Sequence, residues 1–89
     1  MSSAAEKRHL HKIKLLPCSC CGQSAPSDAH HIREGQGMGQ KASDWLAIPL
    51  CKSCHQGDFG IHGDRSMLRI MKTDELGLLA KTIERLVNV

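Results

Sequence analysis

Two short cysteine motifs decide the fold of this chain: PCSCCG at residues 17–22 and PLCKSCH at residues 49–55. Each motif contains two cysteines with two residues between them, Cys18 with Cys21 and Cys51 with Cys54. Two such turns can bring four thiolates to the corners of a tetrahedron, which is the geometry of a structural zinc site. We therefore predict that these four sulfurs hold one Zn²⁺ ion about 2.3 Å from each of them.

A fifth cysteine, Cys20, lies inside the first motif. The CxxC spacing favours Cys21 over Cys20 as the ligand that accompanies Cys18. Two alternatives remain open for the whole set, namely free thiols in a core and a redox pair. The redox reading is the weaker of these, because no βαβ pattern surrounds either motif.

The composition explains why such a chain needs a metal. Its 89 residues include one Trp, one Phe and no Tyr, so few large side chains are available to fill a core. An odd number of cysteines and an N-terminus without an apolar run argue against an oxidised, secreted framework. No segment approaches the roughly 20 apolar residues of a membrane span. We expect a cytoplasmic domain with no membrane partner, and its formal charge of +3 permits a nucleic-acid partner without indicating one.

The remaining patterns predict an α+β fold. Residues 4–16 form an amphipathic helix with a basic face, which Pro17 ends. Short strands at residues 28–33 and 45–50 form a hairpin, joined by the Gly-rich stretch GQGMGQKAS, for which we predict a mobile loop that orders against DNA. We divide the chain into a basic N-terminal helix or arm at residues 1–16 and a zinc-stabilised domain at residues 17–89.

The last third of the chain is predicted to be helical in two pieces. Thr73 is the expected N-cap of the second piece, and Trp45 is expected in the core. One apolar stripe is predicted on the second helix, which we expect to pack within the chain: Leu76, Leu79, Ala80, Ile83, Leu86 and Val87.

Two adjacent histidines, His30 and His31, end the first predicted strand in the stretch DAHHIREG. Neighbouring residues on a strand point to opposite faces, so two roles are more natural for them than one shared role. One ring can bind a cation while the other reaches a water molecule beside it. His55 and His62 also lie in or beside the segments that the zinc would hold together. For His9 and His11, in the basic helix, surface positions are expected.

The combined pattern resembles the HNH, or ββα-metal, nuclease superfamily. The residues that carry the resemblance are PCSCCG, DAHHI, IPLCKSCHQGD and GIHG, and they look most like the phage-encoded Ref-type recombination nucleases. The resemblance runs from about residue 17 to residue 75. It implies a small zinc-bound ββα-metal domain that acts as a metal-dependent DNA endonuclease of low sequence specificity and leaves 5′-phosphate and 3′-hydroxyl ends.

The resemblance also implies roles for the histidines. His30, His55 and His62 would be ligands of a catalytic divalent cation, Mg²⁺ or Mn²⁺ in the cell, although Zn²⁺ can occupy such a site. His31 would be the general base, since a neutral imidazole can accept a proton from the attacking water at physiological pH. No organic cofactor is implied.

The spacing of His55 and His62 departs from the superfamily pattern, because six residues rather than three separate them. On a continuous helix they would lie about 10.5 Å apart along the axis, too far to share one ion. We therefore predict an interruption between them, for which Gly57 and Gly60 provide the means. Asp58, in the same interval, is an alternative ligand.

The central asparagine of the superfamily is also missing, since Asn88 is the sole Asn of the chain. Asp28 and Asp44 are candidates to orient the base, because a carboxylate can accept a hydrogen bond from an imidazole and fix its tautomer. Asp28 could instead contact the metal.

Basic residues around the predicted site would contact DNA phosphates without reading sequence. They are Lys7, Arg8, Lys12, Lys14, Arg33, Lys41, Lys52, Arg65 and Arg69. For those of the N-terminal helix, a merely solvated face is an equal alternative. The resemblance further implies a recombinase filament as a partner, and we expect a monomer. The rival hypothesis is a non-catalytic zinc-stabilised module that binds DNA or a protein.

Overall fold

The computed structural model describes residues 3–32 and 43–88. Six elements occur in these ranges: α1 (Ala4–Lys14), β1 (Asp28–His31), β2 (Ala47–Leu50), α2 (Lys52–Gln56), α3 (Ser66–Ile70) and α4 (Glu75–Val87). The chain is thus a small α+β domain with a two-stranded hairpin and helices on both sides of it in sequence. This confirms the predicted class and the two-piece C-terminal helix.

The hairpin is antiparallel, and its register pairs Asp28 with Leu50 and His31 with Ala47. The backbone N–H of Ile32 donates to the carbonyl of Leu46 at 2.8 Å, which extends the pairing by one step. Every residue of β2 is buried. Arg33 and the predicted Gly-rich loop, which includes Lys41, lie outside the described residues, except for the last residue of the loop, Ser43.

Helix α1 begins with a capping box, in which the Ser3 hydroxyl accepts from the N–H of Glu6 and the Glu6 carboxylate accepts from the N–H of Ser3. The helix ends at Lys14, two residues before the predicted end. Ile13 is its one fully buried side chain, and the carbonyl of Lys14 accepts a 2.9 Å hydrogen bond from Ser27 just before β1. These contacts hold α1 against the hairpin.

The core is small and is centred on the cysteines. Aliphatic side chains from the hairpin and its flank, the loop after α2 and the later helices surround the sulfurs: Ile32, Ile48, Leu50, Ile61, Leu68 and Leu78. No aromatic ring belongs to this buried set among the described residues. A core so short of large side chains is consistent with a fold that a metal must complete.

The face of helix α4 that is buried against the core differs from the predicted one. Leu78 and Thr82 are buried with Glu75, whereas Leu76, Ile83 and Val87 are each more than half exposed. The prediction selected the face with the most apolar residues, and the face that is buried includes the polar residues Glu75 and Thr82. The Thr82 hydroxyl donates to the carbonyl of Leu78 at 2.9 Å, and Oε1 of Glu75 accepts from Arg65, which offsets part of the cost of burying these two polar side chains.

Two further predictions were wrong. Trp45 is 51% exposed rather than in the core, because it lies in the turn before β2 with its ring against His9, 4.9 Å between centroids. The N-cap of α4 is Asp74 and not Thr73, since the Asp74 carboxylate accepts a 2.7 Å hydrogen bond from Gly77 N. Within residues 3–32 and 43–88, no helix has the length and apolar character needed to cross a membrane.

Candidate metal centres

The first cysteine motif forms a tight turn. Cys18 N donates to the carbonyl of Gln23 at 2.8 Å, and Gly22 N donates to the carbonyl of Cys18 at 2.9 Å. Gly22 adopts a φ of 83°, a left-handed conformation that favours glycine. The turn is tied to β2, because both the backbone N–H and the hydroxyl of Ser19 donate to the carbonyl of Pro49 at 2.9 Å.

The second motif opens α2, with Cys51 at the N-cap and Cys54 inside the helix. The sulfurs of Cys18, Cys21, Cys51 and Cys54 all lie within 4.8 Å of one another. Those of Cys21 and Cys51 are 3.6 Å apart, close to the roughly 3.8 Å between neighbouring sulfurs around a tetrahedral zinc. All five cysteines are free thiols. The four grouped sulfurs can therefore bind a zinc ion.

The thiols of this group differ in their pKa. Although burial opposes it, hydrogen bonds from the backbone of both cysteine motifs lower the pKa of Cys18 to about 7. Burial and the neighbouring thiols raise the pKa of Cys54. A metal that binds all four sulfurs as thiolates would displace protons from the group.

Cys20 is not a member of the group. Its side chain is buried, and burial raises the pKa of its thiol. The structure thus brings Cys21, the residue that the spacing favoured, to the other three sulfurs. Cys20 packs in the core beside them.

The predicted interruption between His55 and His62 is confirmed. Helix α2 ends at Gln56, and the chain then loops back so that Ile61 N donates to the carbonyl of Cys54 at 2.8 Å and His62 N to that of His55 at 3.0 Å. A Cβ on Gly60 would lie 2.6 Å from the carbonyl oxygens of Ser53 and Cys54, so the close approach requires glycine. The loop sets His62 directly beside His55.

This loop completes a group of three histidines. Ligand atoms of His30, His55 and His62 all lie within 4.8 Å of one another, and their ring centroids are 4.7–5.2 Å apart. The Nε2 atoms of His55 and His62 are 3.1 Å apart. Two nitrogens bound to one ion at about 2.0–2.1 Å are separated by about 2.9–3.4 Å, depending on the coordination geometry. The spacing therefore suits a shared cation.

His30 provides an independent test of this fit. Its ring is 5% exposed, and its Nε2 has no hydrogen-bond partner among the described residues. Burial lowers the pKa of His30, although Glu75 opposes the shift, so the ring is neutral near pH 7 and offers a lone pair. Because a buried imidazole nitrogen without a partner is costly, the donor set fits a bound cation.

Asp28 contacts the histidine group through His55. Its Oδ2 lies 3.1 Å from Nδ1 of His55, which leaves Nε2 of that ring facing His62. Carboxylates commonly hold metal-binding histidines in this way. Sequence reasoning left open whether Asp28 orients the base or contacts the metal. The structure instead pairs it with a predicted metal ligand.

His31 has a different partner. It is 35% exposed, and its Nε2 lies 2.7 Å from Oδ1 of Asp44, whose side chain is buried. The two neighbouring histidines thus point to opposite faces of β1, as strand geometry requires. Of the two carboxylates considered for orienting the base, Asp44 is the one in contact with His31.

Most of the other predicted residues lie at the surface. Asp58 is exposed and does not belong to the histidine group, whereas His62 does. His11 is exposed as predicted, but His9 is only partly exposed, because its ring packs against Trp45 and its Nε2 is buried. The described basic residues are exposed as well: Lys7, Arg8, Lys12, Lys14, Lys52, Arg65 and Arg69.

Sequence reasoning missed Glu75, the first residue of α4. Its carboxylate is buried, and Oε1 lies 3.5 Å from Nε2 of His30. Arg65 donates to the same oxygen at 3.2 Å. In the sequence, Glu75 indicated only the start of a helix, and no local pattern could have linked it to a strand so far away in the chain.

A two-stranded hairpin, the short helix α2 and the turns that flank them bring these two groups together, which makes the chain a small α+β domain with two candidate metal sites. The chain belongs to the DUF968 family, "Protein of unknown function (DUF968)", which matches residues 1–89. It is also similar to "Uncharacterized protein YdfU" of Escherichia coli (strain K12), with 32% identity over 85 residues. That alignment covers 94% of this chain and 24% of YdfU, so the chain spans about a quarter of the length of this relative. No solved structure matches the chain.

Proposed function

We propose that this protein is a metal-dependent DNA endonuclease of the HNH type, with a structural zinc at the four cysteines and a divalent cation at the three histidines. The observation that carries the proposal is that two adjacent histidines of β1, His30 and His31, have different surroundings. His30 points into the histidine group, while His31 pairs with a buried carboxylate. A site for a cation and a candidate base thus occur side by side.

His31 has the geometry of a general base. With Nε2–H donating to Asp44, the tautomer is fixed and Nδ1 retains the lone pair that can take a proton from water. The Asp44 carboxylate stabilises the imidazolium that this transfer creates. Partial exposure of the His31 ring leaves it accessible to a substrate.

The three histidines would hold the cation, and Asp28 would fix the orientation of His55. A bound divalent cation supplies charge stabilisation for the phosphodiester and the departing 3′ oxygen. Mg²⁺ or Mn²⁺ is the proposed working ion, with 5′-phosphate and 3′-hydroxyl ends as products.

The proposed substrate is DNA, bound through phosphates. The exposed cations of α1, together with Lys52 and Arg69, can contact a backbone without reading bases. A recombinase filament as partner and a monomeric state in the bacterial host cytoplasm rest on the resemblance to Ref-type nucleases, and they belong to the same proposal.

Nicking of supercoiled plasmid tests the proposal. Zinc-loaded protein is incubated with plasmid and Mg²⁺ or Mn²⁺, as wild type, His31→Ala and the control His11→Ala, which changes an exposed histidine of α1. We expect nicking by the wild type and the control, and a loss of at least about 100-fold in His31→Ala, the scale of general-base catalysis.

Two outcomes would contradict this expectation. Equal nicking by wild type and His31→Ala would remove His31 from the chemistry. Binding of DNA without cleavage, with and without a recombinase filament, would favour the rival, a zinc-stabilised binding module.

A further inference from the structure

We infer that Glu75, which contacts His30 without belonging to the three-histidine group, is an anionic neighbour of the cation site and shifts its preference toward Mn²⁺ and Mg²⁺. The inference rests on the proposed cation site and assigns an electrostatic role there to a residue of α4, an element separate from β1, α2 and the following loop, which carry the histidines. It concerns which cation binds and how tightly.

The position of Glu75 is unusual for a carboxylate. It is 6% exposed although it begins a helix, a place where acidic residues are favourable without being buried. The neighbouring cap residue, Asp74, shows the usual arrangement, since it is exposed and bonds to Gly77 N. Burial of the Glu75 carboxylate therefore needs a partner of its own.

Arg65 accounts for only part of that need. Its guanidinium donates to Oε1 at 3.2 Å, but the Arg65 side chain is 50% exposed. Oε2 of Glu75 is buried and has no hydrogen-bond partner among the described residues. One oxygen of the carboxylate that contacts His30 thus remains uncompensated.

The Glu75 carboxylate lies next to one ligand of the proposed cation, His30, although it is not part of the group whose ligand atoms all lie within 4.8 Å of one another. Oε1 of Glu75 and Nε2 of His30 are 3.5 Å apart, close to the 3.1 Å between the Nε2 atoms of His55 and His62. The His30 nitrogen makes no hydrogen bond to the carboxylate. A cation near His30 would satisfy the nitrogen and the uncompensated oxygen together.

The charge of Glu75 also complements the donor set. Three neutral imidazoles bring no negative charge, and nitrogen ligands alone favour Zn²⁺ over harder ions. Mg²⁺ and Mn²⁺ prefer oxygen ligands and gain more from an adjacent carboxylate. Glu75 therefore provides the feature that a three-histidine site lacks for these ions.

Cation affinity, measured without DNA, tests the inference. Zinc-loaded wild type, Glu75→Gln and the control Glu84→Gln are titrated with Mn²⁺ by calorimetry and by the Mn²⁺ paramagnetic resonance signal, and then with Zn²⁺. Glu84 is an exposed carboxylate of the same helix. We expect Glu75→Gln to weaken Mn²⁺ binding by about 10–100-fold, and Zn²⁺ binding at the histidines less, with no change in Glu84→Gln.

The variant Glu75→Asp distinguishes loss of charge from disturbed packing, because it retains the negative charge on a shorter side chain. It should keep more of the Mn²⁺ affinity than Glu75→Gln, and equal weakening in both variants would overturn the inference. Unchanged Mn²⁺ affinity in Glu75→Gln, with binding abolished in His62→Ala, would overturn it while leaving the histidine site intact. A wild type that binds no second cation would overturn both.

Discussion

The carboxylate of Asp44 lies 2.7 Å from Nε2 of His31, the shortest side-chain contact of the histidines described here. Asp28 makes the corresponding contact with His55, at 3.1 Å and through Nδ1. Two carboxylates thus fix two imidazoles whose proposed roles differ, one as base and one as metal ligand. In the proposed mechanism, Asp44 takes the orienting role of the central asparagine that the superfamily pattern led us to seek.

Asp44→Asn is predicted to lower the nicking rate by about 10–100-fold, the usual scale for a lost orienting carboxylate. The amide keeps the shape of the side chain but cannot stabilise an imidazolium at His31. Initial rates at saturating Mg²⁺ measure the effect, with the exposed Asp58→Asn as the matched control. If both variants nick at the wild-type rate, Asp44 does not assist the base.

Loss of one ligand sulfur is predicted to unfold the domain. Structural zinc sites contribute about 10–16 kcal/mol of apparent binding free energy in small zinc-dependent peptides, and this core has few large side chains to compensate. Cys54→Ser, or wild type treated with a strong chelator, should lose the cooperative thermal transition seen by circular dichroism. The control Cys20→Ala changes a cysteine outside the group and should keep the transition and one bound zinc. A cooperative transition in Cys54→Ser without zinc would contradict the stabilising role of the metal.

Gly60→Ala is predicted to weaken the histidine site. Its Cβ would meet the carbonyl oxygens of Ser53 and Cys54 at 2.6 Å, so the loop that returns His62 to His55 must shift. Such overpacking costs about 1–3 kcal/mol. A lower melting temperature and weaker Mn²⁺ binding are expected, both absent in the exposed control Gln56→Ala. Wild-type Mn²⁺ affinity in Gly60→Ala would show that the loop does not position His62.

The titration of His30 should occur at a lower pH than for an ordinary histidine. Burial lowers its pKa below the ordinary value of 6.5, and Glu75 partly opposes this. The folded protein therefore binds fewer protons at His30 than the unfolded chain does. The resulting stability is present above about pH 6.5 and is lost as pH falls through 6.5 toward the folded pKa.

Histidine NMR measures this directly on zinc-loaded protein without a second cation. The His30 midpoint is expected below 6.5, and further below in Glu75→Gln, which removes the opposing charge. A midpoint at or above 6.5 would contradict the burial argument.

Local spacing was sufficient to predict much of the fold. The two CxxC motifs identified the four sulfurs that the structure groups together, and strand patterns placed both strands of the hairpin to within two residues. The distance between His55 and His62 on a helix predicted that α2 must end between them, as it does at Gln56. In each of these cases, the deciding residues are close in the chain or share a simple period.

The remaining features depend on contacts between distant segments. Glu75 reaches His30 only because α4 docks beside the hairpin, and that docking rotates Leu76 and Ile83 into solvent. The choice of Asp44 over Asp28 as partner of His31 likewise depends on which residues the turn before β2 brings near. The periodicity of apolar residues carries no information on such polar pairings. In α4, these pairings accompany the burial of a face that the positions of the apolar residues alone would not have predicted.

The central claim is that the histidine group holds the cation on which DNA cleavage depends. Single-turnover cleavage of a labelled DNA duplex, followed across a Mn²⁺ titration in wild type and His62→Ala, tests it most directly. The account predicts that the cleavage rate rises with the same midpoint as Mn²⁺ binding to the protein, and that His62→Ala abolishes both together. Cleavage that persists in His62→Ala at the wild-type Mn²⁺ midpoint would contradict it.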